Sequence, residues 1–467
     1  MTAPVGLGLA RVTVTAPKRR LDVALPDGML VGELLPHLLR HAGEELADDG
    51  ERHGGWALRR ATGLAIEPSR TLAAQGVRDG EVLHLVPRRV DWPELAYDDV
   101  VEVIAGASRR AGRSWGGPAT RTCGLAATSV VLALGVLDAL LSGPPWVVPA
   151  LACLALAAAL LVTGIVVARA GADAVAGAVL AGGAMLYGFT GGLLAAVPAD
   201  LPLNRIGAPH LLLGSAVLLA CSVLGYVGVA GVQRIFTAGM AASTSGLFAA
   251  ILCTLGMSST GSAALTLTIV IGLLPGYPLV AGWIGRLPMP ALPDRPEQIL
   301  GDQPVPERSG VFVAVSRSAE LLAGFLLSAS IVAMLCMAML AGQGATAGTA
   351  LAITGSIALL LRGRLFPTPR QRVPLLISGG AGLALLAFGQ ILRSDGAARL
   401  ILLLVIAVAA TVVLTSGMVY SRRSPSPYVG RLADILDVLA IMALLPIAAA
   451  VLGLYGAIQG LFASIGS

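Results

Sequence analysis

From Thr122 onward the chain alternates long apolar runs with short polar breaks. The runs fall at approximately 122–142, 146–168, 172–196, 210–230, 234–257, 260–284, 318–341, 346–362, 373–392, 397–420 and 433–463, eleven in all. About 20 apolar residues are what a helix needs to cross a bilayer core. The first run, TCGLAATSVVLALGVLDALLS, carries a single charge, Asp138, in 21 residues. The pattern therefore predicts eleven transmembrane helices over 122–467, the eighth being the shortest.

Ahead of Thr122 the period changes. Arg11–Thr15 (RVTVT) alternates, and Leu21, Val23 and Leu25 repeat that alternation after a basic turn at Lys18, Arg19 and Arg20. Two such runs across a short turn predict an antiparallel hairpin. Asp27-Gly28 breaks the strand, and Leu30, Leu34 and Leu38, with Leu35 and Leu39 beside them, follow at helical spacing. Pro36 interrupts that spacing. An interior proline costs about 3 kcal/mol, so the helix is expected to start late enough to hold Pro36 near its first turn, or to kink there. Trp56, Leu58 and the Thr62-Gly63 turn mark a further strand end. In TLAAQGVRDGEVLHLVPR, residues 71–88, Leu72 anchors, Gly76-Val77 and Asp79-Gly80 turn, and Val82–Val86 closes the unit. Hairpin, helix, strand and closing strand is the β-grasp order, and Leu72 to Leu85 resembles the end of ubiquitin-like domains. A conjugated ubiquitin ends in an exposed Gly-Gly tail, whereas this chain runs on through Arg88 and Arg89. A docking module is the expectation for residues 1–90, against a domain that only stabilises the N-terminus.

Composition sharpens the division. Of 467 residues, 56% are hydrophobic and 13% charged, and the mean hydropathy is +0.82. Sixteen of the 32 basic residues lie in residues 1–121, ahead of the first run. They cluster at segment ends without an aromatic platform, which excludes nucleic-acid binding. Cys123, Cys153, Cys221, Cys253 and Cys336 all fall in apolar runs without metal spacing and read as small buried hydrophobes. The first 30 residues hold no uninterrupted apolar core, so no cleaved signal peptide is expected.

The arginines orient the chain. Arg109, Arg110, Arg113 and Arg121 stand immediately ahead of the first span and should hold the N-terminal side in the cytoplasm. Residues 91–121 form a basic juxtamembrane connector. Val100, Val101 and Ile104 allow a short amphipathic helix at the membrane surface, and a solvated linker is the other reading. Threading eleven spans from a cytoplasmic start puts 17 arginines on the cytoplasmic side, counting these four, against Arg205, Arg393 and Arg399 outside. The C-terminal residue 467 then lies on the extracytoplasmic side of the plasma (inner) membrane.

Asp138, Asp173, Glu320, Asp434 and Asp437 lie near the ends of these runs, and no charge falls at mid-depth. Ion-coupled transporters keep ionisable groups there, so pumping by this chain alone is not expected. LLPGYPL, residues 273–279, is the one transporter-like feature: Pro275 and Pro278 must kink the sixth span, near its cytoplasmic end. No matching interruption occurs in a second half, as an inverted repeat would ask. Gly188/Gly192, Gly272/Gly276, Gly344/Gly348 and Gly456/Gly460 satisfy GxxxG and favour tight bundling. The proline-rich loop 285–317 reads either as a partner-binding segment or as a plain connector.

No catalytic constellation emerges. The chain lacks GxxxxGK[ST], HExxH and a GxSxG with usable partners, and Lys18 is its only lysine. His37, His41, His53 and His84 are scattered through the soluble unit, and His210 opens the fourth span. His37 and His41 lie four apart without a third ligand. The residues assign no enzyme activity, cofactor or metal.

A cytoplasmic ubiquitin-like domain fused to eleven spans resembles EccD, the polytopic membrane subunit of the actinobacterial type VII (ESX) secretion machinery. The resemblance rests on the β-grasp ending at 71–88, the Arg-rich connector and the span count, and it covers essentially the whole chain. It implies a scaffold that pairs with a second copy around a lipid-filled cavity and assembles with EccB, the EccC ATPase and EccE. It also implies that the ubiquitin-like domain docks EccC, which supplies the energy. A polytopic small-solute permease with an N-terminal regulatory domain is the rival reading.

Overall fold

The computed structural model describes residues 8–16, 19–43, 55–60, 64–87, 115–198, 207–288, 308–422 and 426–465. The chain divides into two compact units, Met1–Ser114 and Trp115–Ser467.

The first unit is a four-stranded mixed sheet with one helix against it. Its strands are β1 (Leu9–Thr15), β2 (Arg20–Pro26), β3 (Trp56–Arg60) and β4 (Val82–Pro87), in the order β2-β1-β4-β3. β1 runs antiparallel to β2 and parallel to β4, while β3 pairs antiparallel with β4. Period-two alternation sends Val12, Val14, Leu58, Leu83 and Leu85 to one face. There they meet Val31, Leu34 and Leu38 of α1 (Val31–Ala42).

α1 corrects the first of the two expectations for Pro36, a late helix start. The helix begins at Val31, so Pro36 sits in its interior rather than in its first turn. Its start is fixed from outside: the Val31 amide donates to the Arg70 carbonyl and the Gly32 amide to the Pro68 carbonyl. Val31 itself is buried. Tertiary anchoring of the first turn outweighs the local cost of the proline.

The second unit is a bundle of α-helices: α2 (Gly117–Leu141), α3 (Val147–Arg169), α4 (Ala174–Ala195), α5 (Ala208–Gly228), α6 (Gln233–Thr254), α7 (Ser259–Gly272), α8 (Tyr277–Gly285), α9 (Arg308–Gln343), α10 (Thr346–Arg362), α11 (Pro369–Arg393), α12 (Gly396–Arg422), α13 (Pro427–Val451) and α14 (Leu454–Ile465). Among the described residues ten are long and apolar enough to cross a membrane by themselves, and α7 with α8, bent by 65° at a four-residue break, is long and apolar enough as a pair. Some ends move from their expected places. The first span begins at Gly117, one turn before Arg121, with Pro118 in its opening turn. α9 starts at Arg308, so the last third of the expected 285–317 loop is helix. The run 433–463 becomes two helices divided at Gly453, whose φ is +72°.

Small residues set the closest approaches. A Cβ on Gly177 would come within 2.6 Å of the Gly164 carbonyl oxygen, which presses α4 onto α3. A Cβ on Gly192 would meet the Leu213 carbonyl oxygen at 2.9 Å, which presses α4 onto α5. Among the GxxxG pairs, Gly188 and Gly192 both press on α5, against Cys221 and the Leu213 carbonyl. Gly272 and Gly456 have open space where a side chain would go. α12 stands at the other extreme, with none of its residues buried.

Candidate functional site

Antiparallel threading puts the start of every odd-numbered span and the end of every even-numbered span at one end of the bundle. We call the end at which α2 begins the proximal end. Ion pairs between spans collect there. The Arg121 guanidinium grips Asp173 with two bonds, Nη2 to Oδ1 at 2.6 Å and Nε to Oδ2 at 3.2 Å, tying the first span to the third. Glu320 on α9 accepts from Arg234 at 3.2 Å and from Arg370 at 3.1 Å, joining the fifth, seventh and ninth spans. Arg362 at the end of α10 meets Asp437 of α13 at 3.4 Å. Beside them Arg364 pairs with Asp434 and donates to the Gly430 carbonyl at 3.2 Å. Arg169 closes the end of α5 by donating to the Gly228 and Val227 carbonyls at 2.8 and 2.9 Å.

Asp173 has a second task. It is the N-cap of α4, accepting from the Val175 and Ala176 amides. The Arg121 hydrogen bonds, followed by the Ala176 amide, hold its carboxyl below the ordinary carboxylate range. Asp437 refines the expectation that acids sit at span ends. α13 starts at Pro427, ahead of the apolar run, so Asp437 lies about 15 Å along the helix and is nearly buried. Its partner is the last residue of α10, which keeps the pair in the proximal layer.

The opposite end is built differently. There Arg393 donates to the Gly342 carbonyl at 3.3 Å and Arg399 to the Ile391 carbonyl at 3.4 Å, and neither has a carboxylate partner among the described residues. Span-end arginines at this end satisfy helix C-terminal carbonyls instead.

Of the four orientation arginines, Arg121 is placed, inside α2 and paired with Asp173. Arg109, Arg110 and Arg113 lie outside the described residues, as do Arg205 and His53. Pro275 falls in the four-residue break of the sixth span and Pro278 at the start of α8. In the first unit the His41 ring is engaged with the His37 carbonyl at 2.8 Å. Among the described residues no three His, Cys, Asp or Glu side chains converge as a metal site. Sequence reading used the span-end arginines only as markers of side and missed their partners, which stand 50 to 86 positions away.

Comparison with known proteins matches both units. The family described as EccD-like transmembrane domain matches residues 120–461. The family described as WXG100 protein secretion system (Wss), protein YukD, matches residues 9–85. The ESX-4 secretion system protein eccD4 of Mycobacterium tuberculosis is 28% identical over 468 positions, covering 97% of this chain and 98% of the relative. Among solved structures, protomer 1 of the ESX-3 core complex superposes with a TM-score of 0.57 at 20% identity, over 96% of this chain and 99% of that one. A chain of the MycP5-free ESX-5 inner membrane complex gives 0.56 at 16% identity, over 89% and 100%. A chain of ten to eleven candidate spans preceded in sequence by a YukD-like unit, and matched along nearly its whole length, belongs to the EccD family.

Proposed function

We propose that this chain, a membrane subunit of type VII secretion by its family, is the scaffold of the inner-membrane core complex. Residues 1–90 are its docking unit, 91–121 its basic connector and 122–467 its spanning domain. The first unit lies in the cytoplasm and docks the EccC ATPase. The spans pair with those of a second copy around membrane lipid and hold EccB and EccE. Arg109, Arg110, Arg113 and Arg121 keep the proximal end cytoplasmic, and residue 467 lies on the other side.

The observation that carries this reading is where the charge sits. Among the described residues Asp173, Glu320, Asp434 and Asp437 are each paired with arginine in a layer toward one end of the bundle. Among the described residues no unpaired charge sits at mid-span, where an ion-moving protein keeps one. The bend at α7–α8 has no second counterpart among the described residues, so the paired broken helices of a transporter are missing there.

The test is co-purification in mild detergent. The full chain is expected to bring down EccC together with EccB and EccE, and deletion of residues 1–90 to lose EccC while retaining the others. Uptake of a defined solute by liposomes containing this chain alone would overturn the reading.

A further inference from the structure

The outward face of the sheet in the first unit, turned away from α1, is basic. Register sets Arg59, His84, Thr15 and Arg20 directly opposite one another across β3, β4, β1 and β2. That row crosses three strand spacings, about 14 Å. Alternation along β1 puts Arg11 on the same face. Arg11, Arg20 and Arg59 are exposed, and no guanidinium of the three pairs with a carboxylate among the described residues. Asp22, the acid of this face, accepts from the Thr13 hydroxyl at 2.6 Å, and Asp79 beside it accepts from the Arg11 amide at 2.7 Å.

The face is also partly apolar. A sheet covered on one side normally turns polar residues to the other. Here the outward positions include Leu9, which is 59% exposed, together with Ala24, Ala57, Val82 and Val86. Cations beside uncovered hydrocarbon fit a ligand that brings carboxylates and apolar side chains together. A lipid surface fits poorly, because Val82 and Val86 are half-buried in a flat sheet and do not project far enough to enter a bilayer.

The chain itself carries a segment of that chemistry. Residues 91–104, DWPELAYDDVVEVI, lie outside the described residues. They hold Asp91, Glu94, Asp98, Asp99 and Glu102, no Lys, Arg or His, and Trp92, Leu95 and Tyr97 among the acids. The segment begins four positions after β4 ends at Pro87, within the same unit. Four positions of chain reach about 13 Å. The row lies three positions back along β4, about 10 Å, so the segment reaches it by doubling back. The other acidic stretch, EELADDGE at 44–51, brings only Leu46 and Ala47 as apolar side chains.

We propose that residues 91–104 bind across the outward face of this sheet. Their carboxylates meet Arg20, Arg59 and His84, and their apolar side chains cover Ala57, Val82 and Val86. The contact is made within one copy and does not rest on the scaffold reading. Any other acidic segment would compete with it for the face.

Photo-crosslinking of the full chain in nanodiscs tests this, with p-benzoylphenylalanine in place of Ala57 or of Ala24 and mass spectrometry of the joined peptides. Cross-links are expected on residues 91–104 of the same copy, distinguished from a second copy by mixing isotopically labelled and unlabelled chain. Raising NaCl from about 0.05 M to about 0.5 M shortens the screening length about threefold and should lower the yield by a similar factor. Arg20→Glu with Arg59→Glu should lower it about tenfold. Adding Asp98→Arg with Asp99→Arg should restore most of the yield, a rescue that a misfolded sheet would not give. Cross-links to residues 44–51, to a second copy or to no part of the chain would overturn the proposal. So would cross-links to 91–104 that ignore both salt and charge reversal.

Discussion

Arg362 and Asp437 approach to 3.4 Å with 11% and 12% of their side chains exposed, the most buried ion pair of the bundle among the described residues. Removing one member leaves the other charged, desolvated and alone, which costs about 3–5 kcal/mol. Asp437→Ala is therefore expected to lower the midpoint of thermal unfolding in detergent sharply. Combining Arg362→Met with Asp437→Leu should recover much of the loss, because the desolvation cost disappears with both charges. Asp173, in contrast, is half-buried, and its effect is read through pH. Its native pKa is depressed by Arg121, so its contribution is full above the ordinary carboxylate value of about 3.9 and fades as pH falls through the lower native value. Asp173→Asn should remove that acid-dependent fraction, seen as a flatter melting profile below the ordinary carboxylate range. The arginines of this layer were legible as a group, since positive charge marks one side of a membrane. Their partners were not: pairing across 50 to 86 positions depends on which spans are neighbours, and that is a property of packing alone.

Among the elements, every apolar run corresponds to helix, because length and hydropathy suffice to name a span. Where runs failed was at their ends. The polar first turns of α2 and α13 and the first ten residues of α9 continue a helix beyond the hydrocarbon, and no hydropathy signal records them. The glycine pairs show the same limit. Gly192→Leu is expected to drive α4 from α5 and to destabilise by about 1–3 kcal/mol or more, as overpacking does. Gly272→Leu, at identical spacing in its own GxxxG, should leave the thermal midpoint unchanged, since open space surrounds it. In the sheet unit the strand pattern, the turns and the helix face were all readable, whereas the position of Pro36 was not. Pro36→Ala should restore an interior amide and raise the unfolding free energy of that unit by up to about 3 kcal/mol, measured by urea denaturation.

For the molecule as a whole, burial is uneven. α4 and α9 form its packed interior, with 61% of each span window buried, and α12 contributes nothing to it. Replacing the apolar residues of α12 by leucine should leave the thermal midpoint of the purified chain unchanged, while the same treatment of α4 should prevent folding.

The ion pairs between spans, among the described residues, also lie all on one rim. Salt-bridge clamps join spans at the proximal end, and among the described residues the opposite end has carbonyl caps instead. A folding fan riveted at its handle has the same mechanics: its ribs pivot at the rivet and separate most at the free edge. Relative tilting of the spans is expected to be small where the chain first dips into the membrane and to grow with distance from it. Pairs of spin labels on the far tips of α6 and α9 should accordingly return broader separation profiles than pairs on their near tips, and cutting the Arg234–Glu320 tie with Glu320→Gln should erase that gradient.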